Sequence, residues 1–193
     1  MSGSTRSLSW LPPVMLAALA LSLPCVARRA RADDEATALE RRVKAAYLYK
    51  FAGYVDWPAG TFATPDAPLT IAVVGDPSLA AELTRITARR TSGGHGVKVL
   101  QPKPFEPLEG VHMMFVGAAE SARLAAIIHG AESRPILVVT ESERALEQGS
   151  MINFMLSDGR VRFEVDLTSV ERSGLMLSSR LLAVARSVYT GTP

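Results

Sequence analysis

The chain has 193 residues, of which 21 are basic, 19 are acidic and one is cysteine, and its formal net charge is +2. This length favours one domain with a hydrophobic core of ordinary size. The near balance of charges gives no basic surface of the kind that binds nucleic acid. A single cysteine excludes a disulfide within the chain.

The amino-terminal segment is typical of a secretory signal peptide. Arg6 supplies a positive charge, and the apolar run at 14–23 is too short for a comfortable membrane span. Pro24 interrupts this run, and small-x-small sites then end at Ala27 and Ala32. We favour cleavage after Ala32, with cleavage after Ala27 as the alternative and an uncleaved anchor as a third interpretation.

Cleavage after Ala32 divides the chain into a signal peptide, 1–32, and a domain, 33–193. It removes Cys25 and four arginines, so 17 basic residues face 19 acidic ones and the net charge becomes −2. Pro24 lies directly before Cys25, where a lipoprotein signal needs a small residue. We therefore expect an unlipidated mature protein without cysteine.

Helix and strand patterns alternate along the mature chain. This alternation predicts an α/β fold, a single three-layer domain with a mainly parallel sheet flanked by helices and a carboxyl-terminal antiparallel hairpin. The predicted helices are 35–54, a helix capped by Asp76 or Ser78 that runs to about Ala88, 120–129, 142–147 and 168–172. The predicted strands are 69–74, 97–100, 111–116, 135–140, 151–156 and 160–166, with loops at 92–96 and 102–110.

The hairpin is the clearest local pattern. In the strand 160–166, Val161, Phe163 and Val165 alternate with polar residues, which predicts one buried face. An Asp158-Gly159 turn precedes this strand, since glycine readily adopts positive φ. Farther on, Ser178 or Ser179 can cap a last helix that reaches about Val188, with an apolar stripe of Leu181, Leu182, Ala185 and Val188.

An aromatic cluster at the end of the first helix has two interpretations. Tyr47, Tyr54 and Trp57 are typical of core packing between the helix and the turn after it. They could equally form a ligand-binding or partner-binding surface.

Known catalytic and cofactor motifs are absent from the sequence. Gly75-Asp76-Pro77 follows a strand, but the aspartate would repel phosphate and the proline has no N–H to bind it, which favours a structural turn. The three histidines, including His112, lack metal-ligand spacing, and no nucleophile motif occurs. We predict a protein that is not an enzyme and that has no cofactor or metal; an enzyme on an α/β scaffold is kept as a rival class.

Two polar residues in the hairpin also have two interpretations each. Asn153 lies in an apolar strand, where a structural hydrogen bond is the first interpretation and a ligand contact the second. Glu164 lies on the polar face of its strand. It is either an exposed charge beside Arg160 or Arg162, or a specificity contact at a protein interface.

Three motifs resemble one protein family. The carboxyl-terminal run GSMINF, GRVRFEVD and SGLMLSSRLLAVA (149–185) resembles the carboxyl-terminal signature of the YfiR family. AYLYKFAGYVDWP (46–58) resembles its amino-terminal helix, and LTIAVVGD (69–76) lies between them. The resemblance covers roughly 43–185. The family's cysteines are not matched, because their places look like Ala72 and Val111, which puts redox sensing by this member in doubt.

The resemblance implies a periplasmic repressor. Such a protein binds the periplasmic domain of an inner-membrane diguanylate cyclase, which lowers cyclic di-GMP and biofilm formation. The density of family-like residues suggests a partner-binding surface that includes Phe154, Glu164 and Val170. A homodimer is possible. The alternative is a periplasmic small-molecule-binding signalling module with a different membrane partner and a site at Tyr47, Tyr54 and Trp57.

Overall fold

The computed structural model describes residues 23–103, 106–132 and 134–191. Contacts divide the chain into two units, 1–39 and 40–193. The described part of the first unit is the beginning of helix α1 (Leu23–Ala52). There the Thr37 hydroxyl donates a hydrogen bond to the Asp33 carbonyl at 2.9 Å.

The second unit holds the remaining elements, whose helices lie mostly between strands. The described strands are β1 (Val55–Asp56), β2 (Leu69–Val74), β3 (Thr91–Ser92), β4 (His95–Leu100), β5 (Met113–Val116), β6 (Leu137–Thr140), β7 (Ile152–Ser157), β8 (Arg160–Asp166), β9 (Met176–Leu177) and β10 (Ser187–Tyr189). The described α-helices after α1 are α2 (Pro77–Thr87), α3 (Leu124–His129), α4 (Leu167–Arg172) and α5 (Ser179–Leu182), with 3₁₀ helices η1 (Ala118–Arg123) and η2 (Leu146–Gln148).

The main sheet is mostly parallel, which confirms the predicted fold class. Its eight described strands have the order β10-β8-β7-β6-β5-β2-β4-β3. The pairs β10·β8, β7·β6, β6·β5, β5·β2 and β2·β4 are parallel, while β7·β8 and β3·β4 are antiparallel. β1 and β9 form a separate antiparallel pair.

Alternate side chains of the central strands build two cores, one on each face of the sheet. In β2, Ile71 and Val73 belong to the first core, whereas Ala72 belongs to the second. Helices α1 and α2 cover the first core, and α3 covers the second through Leu124 and Ile128. Helix α2 joins β2 to β4 and α3 joins β5 to β6, so the two crossovers run in opposite directions along the sheet and lie on opposite faces, as right-handed connections require.

Helix α1 begins earlier than predicted and ends two residues sooner, at Ala52 instead of 54. Of the predicted signal run at 14–23, residues 14–22 lie outside the described residues; Leu23 begins α1, which also contains Ala27 and Ala32. Among the described helices, none combines the length and apolarity that a membrane crossing requires.

The predicted last helix is wrong beyond Leu182. Helix α5 ends there, and Ser187–Tyr189 forms the edge strand β10, which pairs with β8. The Arg186 N–H donates to the Phe163 carbonyl at 2.8 Å. The open edge of β8 supplies backbone hydrogen-bond partners for residues 187–189. The helical spacing of the apolar residues gives no sign of these distant partners, and for this reason the prediction failed.

Other differences are smaller. The predicted loop at 92–96 is a tight hairpin between β3 and β4, turned by Gly93 and Gly94, both at positive φ. The predicted helix 120–129 begins as the 3₁₀ helix η1 before it becomes α3, and only η2 stands for the predicted helix 142–147. Asp76 caps α2 as expected, because its Oδ1 accepts the Leu79 N–H at 2.8 Å.

Candidate functional site

A cleft of about 670 Å³ opens at the carboxyl ends of β5 and β6. Ligands of open parallel sheets commonly bind at this edge. We call this region the edge cleft. It is lined by Glu40, Lys44, Ala118, Glu141, Ser142, Glu143, Arg144, Asn153, Phe154, Met155, Leu156 and Glu164.

Asn153 organises the floor of the edge cleft. Its Oδ1 accepts hydrogen bonds from the Thr140 hydroxyl at 2.8 Å and from the Ser142 N–H at 3.2 Å. Its Nδ2 donates to Glu164 Oε1 at 3.4 Å. The side chain is only 5% exposed, so these bonds satisfy an amide that would be costly to bury alone. The structural interpretation of Asn153 is confirmed, and the residue also orients Glu164.

Lys44 closes one side of the edge cleft through ion pairs. Its ammonium donates to Glu141 Oε2 at 2.5 Å and to the Glu40 carboxylate one helical turn earlier. The Ala118 N–H donates to the other Glu141 oxygen at 2.9 Å. Burial lowers the pKa of Lys44, but its hydrogen bonds to Glu141 and Glu40 outweigh burial and raise the pKa above its usual value. Lys44 is therefore a permanent cation that ties α1 to the sheet edge.

The edge cleft combines acidic groups with apolar surface. Four carboxylates line it against two cations, and Arg144 is already paired with Glu147 outside the lining. Leu156 is 59% exposed. A surface of this composition suits a partner that presents a basic group beside an apolar side chain, because complementary charges steer association and apolar contact stabilises the complex.

The three predicted partner-binding residues do not share one environment. Glu164 lines the edge cleft, half-buried, and its Oε2 accepts from the Tyr189 hydroxyl at 3.4 Å. Phe154 is 2% exposed and Val170 is 1% exposed, and both belong to the first core. Glu164 and the buried Phe154 both line the edge cleft, whereas Val170 belongs to α4, none of whose residues lines it.

The three aromatic candidates also separate. Tyr47 packs in the first core, with its ring centroid 5.4 Å from that of Phe163. Tyr54 lies at the surface, 36% exposed, and its carbonyl accepts the Ser178 N–H at 2.9 Å. Tyr47 and Trp57 both pack against the first core, but their ring contacts belong to separate aromatic groups.

Trp57 belongs to an aromatic stack at the opposite, amino-terminal edge of the sheet. The Phe62 ring lies between two histidines, with centroids 4.0 Å from His95 and 4.3 Å from His112. The Trp57 ring stands edge-on to His112 at 6.3 Å. No sequence motif marks this stack, because Trp57 and Phe62 come from the loop before β2, His95 from β4 and His112 from the segment before β5.

The stack contains two buried nitrogens without hydrogen-bond partners among the described residues, Trp57 Nε1 and His112 Nε2. His112 Nδ1 accepts the Thr70 N–H at 3.1 Å, so the neutral ring carries its proton on Nε2. Burial lowers the pKa of His112, and His95 lowers it further; the carbonyls of Gly110 and Thr61 oppose this shift. Both nitrogens are therefore N–H donors that make no hydrogen bond of normal geometry to a described residue; the carbonyls of Gly110 and Thr61 act on the His112 ring without completing one.

A cavity of about 540 Å³ lies beside this stack. We call it the histidine cavity. Two of its lining side chains, Arg134 and Arg172, are cationic, against one carboxylate, Glu132, which pairs with His129. Its lining residues are Pro58, Ala59, Gly60, Thr61, Leu108, Gly110, Val111, His112, Glu132, Arg134, Pro135, Arg172 and Ser173.

Metal-binding groups are not assembled in the described part of the chain. No group of three or more His, Cys, Asp or Glu residues there could hold a metal ion. The two positions that resemble the family's cysteine sites, Ala72 and Val111, are both buried in the second core.

Comparison with protein families decides the identity. The family model described as YfiR/HmsC-like matches residues 41–186. The chain belongs to the YfiR/HmsC-like family. This family is regulatory rather than catalytic, and its members are in general periplasmic.

A solved structure was also found to be similar. It is the crystal structure of a conserved domain protein from Vibrio cholerae O1 biovar El Tor strain N16961, with a TM-score of 0.48 and 14% sequence identity. The match covers 62% of this chain and 54% of that protein, so this chain spans about half of that protein's length.

Proposed function

We propose that this protein is a periplasmic repressor that binds the periplasmic domain of an inner-membrane diguanylate cyclase and holds the enzyme inactive. The observation that supports this proposal is the YfiR/HmsC-like match over 41–186. Repression lowers cyclic di-GMP and therefore biofilm formation.

We propose the edge cleft, and Glu164 in particular, as the docking surface. The carboxylate of Glu164 is held by Asn153 on one oxygen and by Tyr189 on the other. A charge held in this way loses little conformational freedom when a partner binds. Phe154 contributes as the buried residue of β7 that lines the cleft, whereas Val170 lies in α4, outside the cleft.

Repression requires a difference in affinity. A protein that bound the active and inactive cyclase equally would not change their ratio, so this protein must prefer the inactive state. Moving a two-state equilibrium from 1:99 to 99:1 takes about a 10⁴-fold preference. A tenfold loss of this preference would raise the active fraction from about 1% to about 9%.

The test measures binding of the purified mature protein to the periplasmic domains of the host's membrane-bound diguanylate cyclases. Glu164→Lys should weaken binding at least about tenfold, because it places a like charge against a basic partner surface. Glu171→Lys makes the same charge change at an exposed position outside the edge cleft, and it should bind like wild type. Binding to none of the domains would contradict the proposal.

A second candidate function is small-molecule sensing at the histidine cavity, supported by His112, which lines the cavity and whose buried Nε2 has no hydrogen-bond partner among the described residues. A buried N–H without an acceptor costs about 1–3 kcal/mol, which a ligand oxygen would recover. The adjacent Arg134 and Arg172 favour an anion, and the stacked rings favour an aromatic one.

Benzoate and phenyl phosphate are suitable probes for this second function. Either should raise the melting temperature of the wild-type protein in a saturable way. Arg172→Gln removes one of the two cations that line the cavity, and should reduce the shift. The absence of a shift with both probes at millimolar concentration would remove this candidate.

A further inference from the structure

The second core is incompletely covered on one side. Val74, Leu108 and Ile127 pack against it but remain partly exposed. All three line a further cavity of about 560 Å³, which also reaches the fully buried Met114. We call it the apolar cavity.

Short helices explain why this space is open. The cover over the second core consists of η1 and α3, with six residues each. The side that borders the apolar cavity carries Ala122, Ala126 and Gly130, which recur every fourth residue and therefore share one face. None of these residues has a side chain long enough to fill the space. The proline-bearing segment with Pro102, Pro107 and Leu108 forms another part of the lining.

Positive charge lines the apolar cavity. Lys103 and Arg134 contribute cations, and within the described residues the Lys103 ammonium makes no hydrogen bond or ion pair. Among the described residues, the Arg134 guanidinium donates only a long hydrogen bond, 3.4 Å, to the Gly130 carbonyl. Arg123 also lines the cavity but pairs with Glu120. The carboxylate of Glu106 accepts the backbone N–H of Lys103 at 2.7 Å. The cations Lys103, Arg123 and Arg134 outnumber this carboxylate, so the charge of the lining is positive.

We propose that the apolar cavity binds a small amphipathic carboxylate, with its hydrocarbon chain on Val74, Met114 and Ile127 and its carboxylate at Lys103 and Arg134. The volume lies within the range of about 300–1,000 Å³ that is usual for small-molecule sites. Removal of apolar surface from water supplies the affinity, at about 25 cal/mol per Å². The two cations select the anionic head group.

This site is separate from the proposed docking surface. The apolar cavity and the edge cleft share no lining residue. The apolar cavity lies on the face of the second core, whereas Phe154 of the edge cleft belongs to the first. The ligand site can therefore be tested without any assumption about the cyclase.

The test is titration calorimetry of the mature protein with decanoate below its micelle concentration. We expect saturable binding at one site, and weaker binding of decanol, which lacks the charge. Ala126→Leu fills the cavity and should weaken decanoate binding at least about tenfold. Lys103→Glu should weaken decanoate binding but leave decanol binding unchanged.

Ala125→Leu is the matched control, because Ala125 is an exposed neighbour on the same helix that does not line the cavity. It should bind decanoate within about twofold of wild type, which is less than 0.5 kcal/mol. If Ala126→Leu does not fold, Ala122→Leu fills the same space. No saturable decanoate binding, or equal binding by wild type and the filled variant, would overturn the proposal.

Discussion

Lys44 and Glu141 form an ion pair across 97 positions of sequence, with 2.5 Å between Nζ and Oε2. Their side chains are 13% and 15% exposed, so water screens the pair only in part. Glu141 also accepts the Ala118 N–H, which links this pair to the end of β5. One interaction thus connects helix α1 with the ends of two parallel strands and shapes the edge cleft.

Replacing Lys44 by methionine should lower the free energy of unfolding by about 1–3 kcal/mol, between the values usual for exposed and buried pairs. The methionine keeps the apolar stem but leaves the carboxylates of Glu40 and Glu141 without their cation. Urea denaturation measures the change. The double variant with Glu141→Gln should be less destabilised than the sum of the two single variants.

Arg85→Met is a control for this prediction. Arg85 pairs with Glu82 at 2.6 Å, but its side chain is 68% exposed. Solvent screens this pair, so its removal should leave stability almost unchanged. If Lys44→Met and Arg85→Met lower the free energy of unfolding equally, the Lys44 pair has no special structural role.

Two glycines with similar backbones allow a second prediction. Gly75 has φ +82 and Gly60 has φ +85, but an added Cβ at Gly75 would lie 2.7 Å from Glu120 Cγ, whereas nothing lies within 4 Å at Gly60. Gly60→Ala should cost about 1–2 kcal/mol, from left-handed strain alone. Gly75→Ala should cost more, because Glu120 must move and its ion pair with Arg123 is disturbed. Chemical denaturation of both variants measures the difference, and equal costs would contradict the close contact.

Stability should fall when the pH falls below neutrality. Burial and the neighbouring His95 lower the pKa of His112 in the folded protein below its usual value of 6.5. The unfolded chain then binds more protons, so stability is complete above pH 6.5 and is lost as pH falls through the folded pKa. Melting temperatures between pH 7.5 and 5 should show this loss. His112→Gln should flatten the slope, and an unchanged slope would exclude His112 as the group responsible.

Asn153 provides a fourth prediction. Asn153→Ala leaves the Thr140 hydroxyl and the Ser142 N–H without their shared acceptor and should cost about 1–3 kcal/mol. It also frees Glu164, so partner binding should weaken even where the protein is fully folded. Ser157→Ala, at the less buried end of the same strand, should change neither property. Thermal unfolding and the cyclase-domain binding assay check the two effects separately.

The parts of the fold that depend on local pattern could be predicted from the sequence. Residues 160–166 alternate as expected, with Val161 and Phe163 buried and Arg162 exposed. Asp158 and Gly159 both have positive φ in the hairpin turn. In these segments the residue pattern fits only one local structure. A strand with one buried face requires alternating apolar residues, and a turn with positive φ accepts few residue types.

The parts that depend on distant partners could not be predicted. Residues 183–189 carry apolar positions that fit a helix, but the free edge of β8 captures Ser187–Tyr189 as a strand. Neither the Lys44–Glu141 pair nor the stack of His112 on Phe62 has a local signal, since each joins residues from separate elements. The half-buried setting of Glu164 beside Asn153 likewise appears only once β7 and β8 are paired.

Cellular cyclic di-GMP in the host bacterium tests the central claim most directly. Deletion of the gene should raise cyclic di-GMP clearly, and a copy encoding the wild-type protein or Glu171→Lys should restore the original level. The Glu164→Lys copy should fail to restore it while the protein accumulates normally in the periplasm. An unchanged cyclic di-GMP level after deletion would contradict repression of a diguanylate cyclase by this protein.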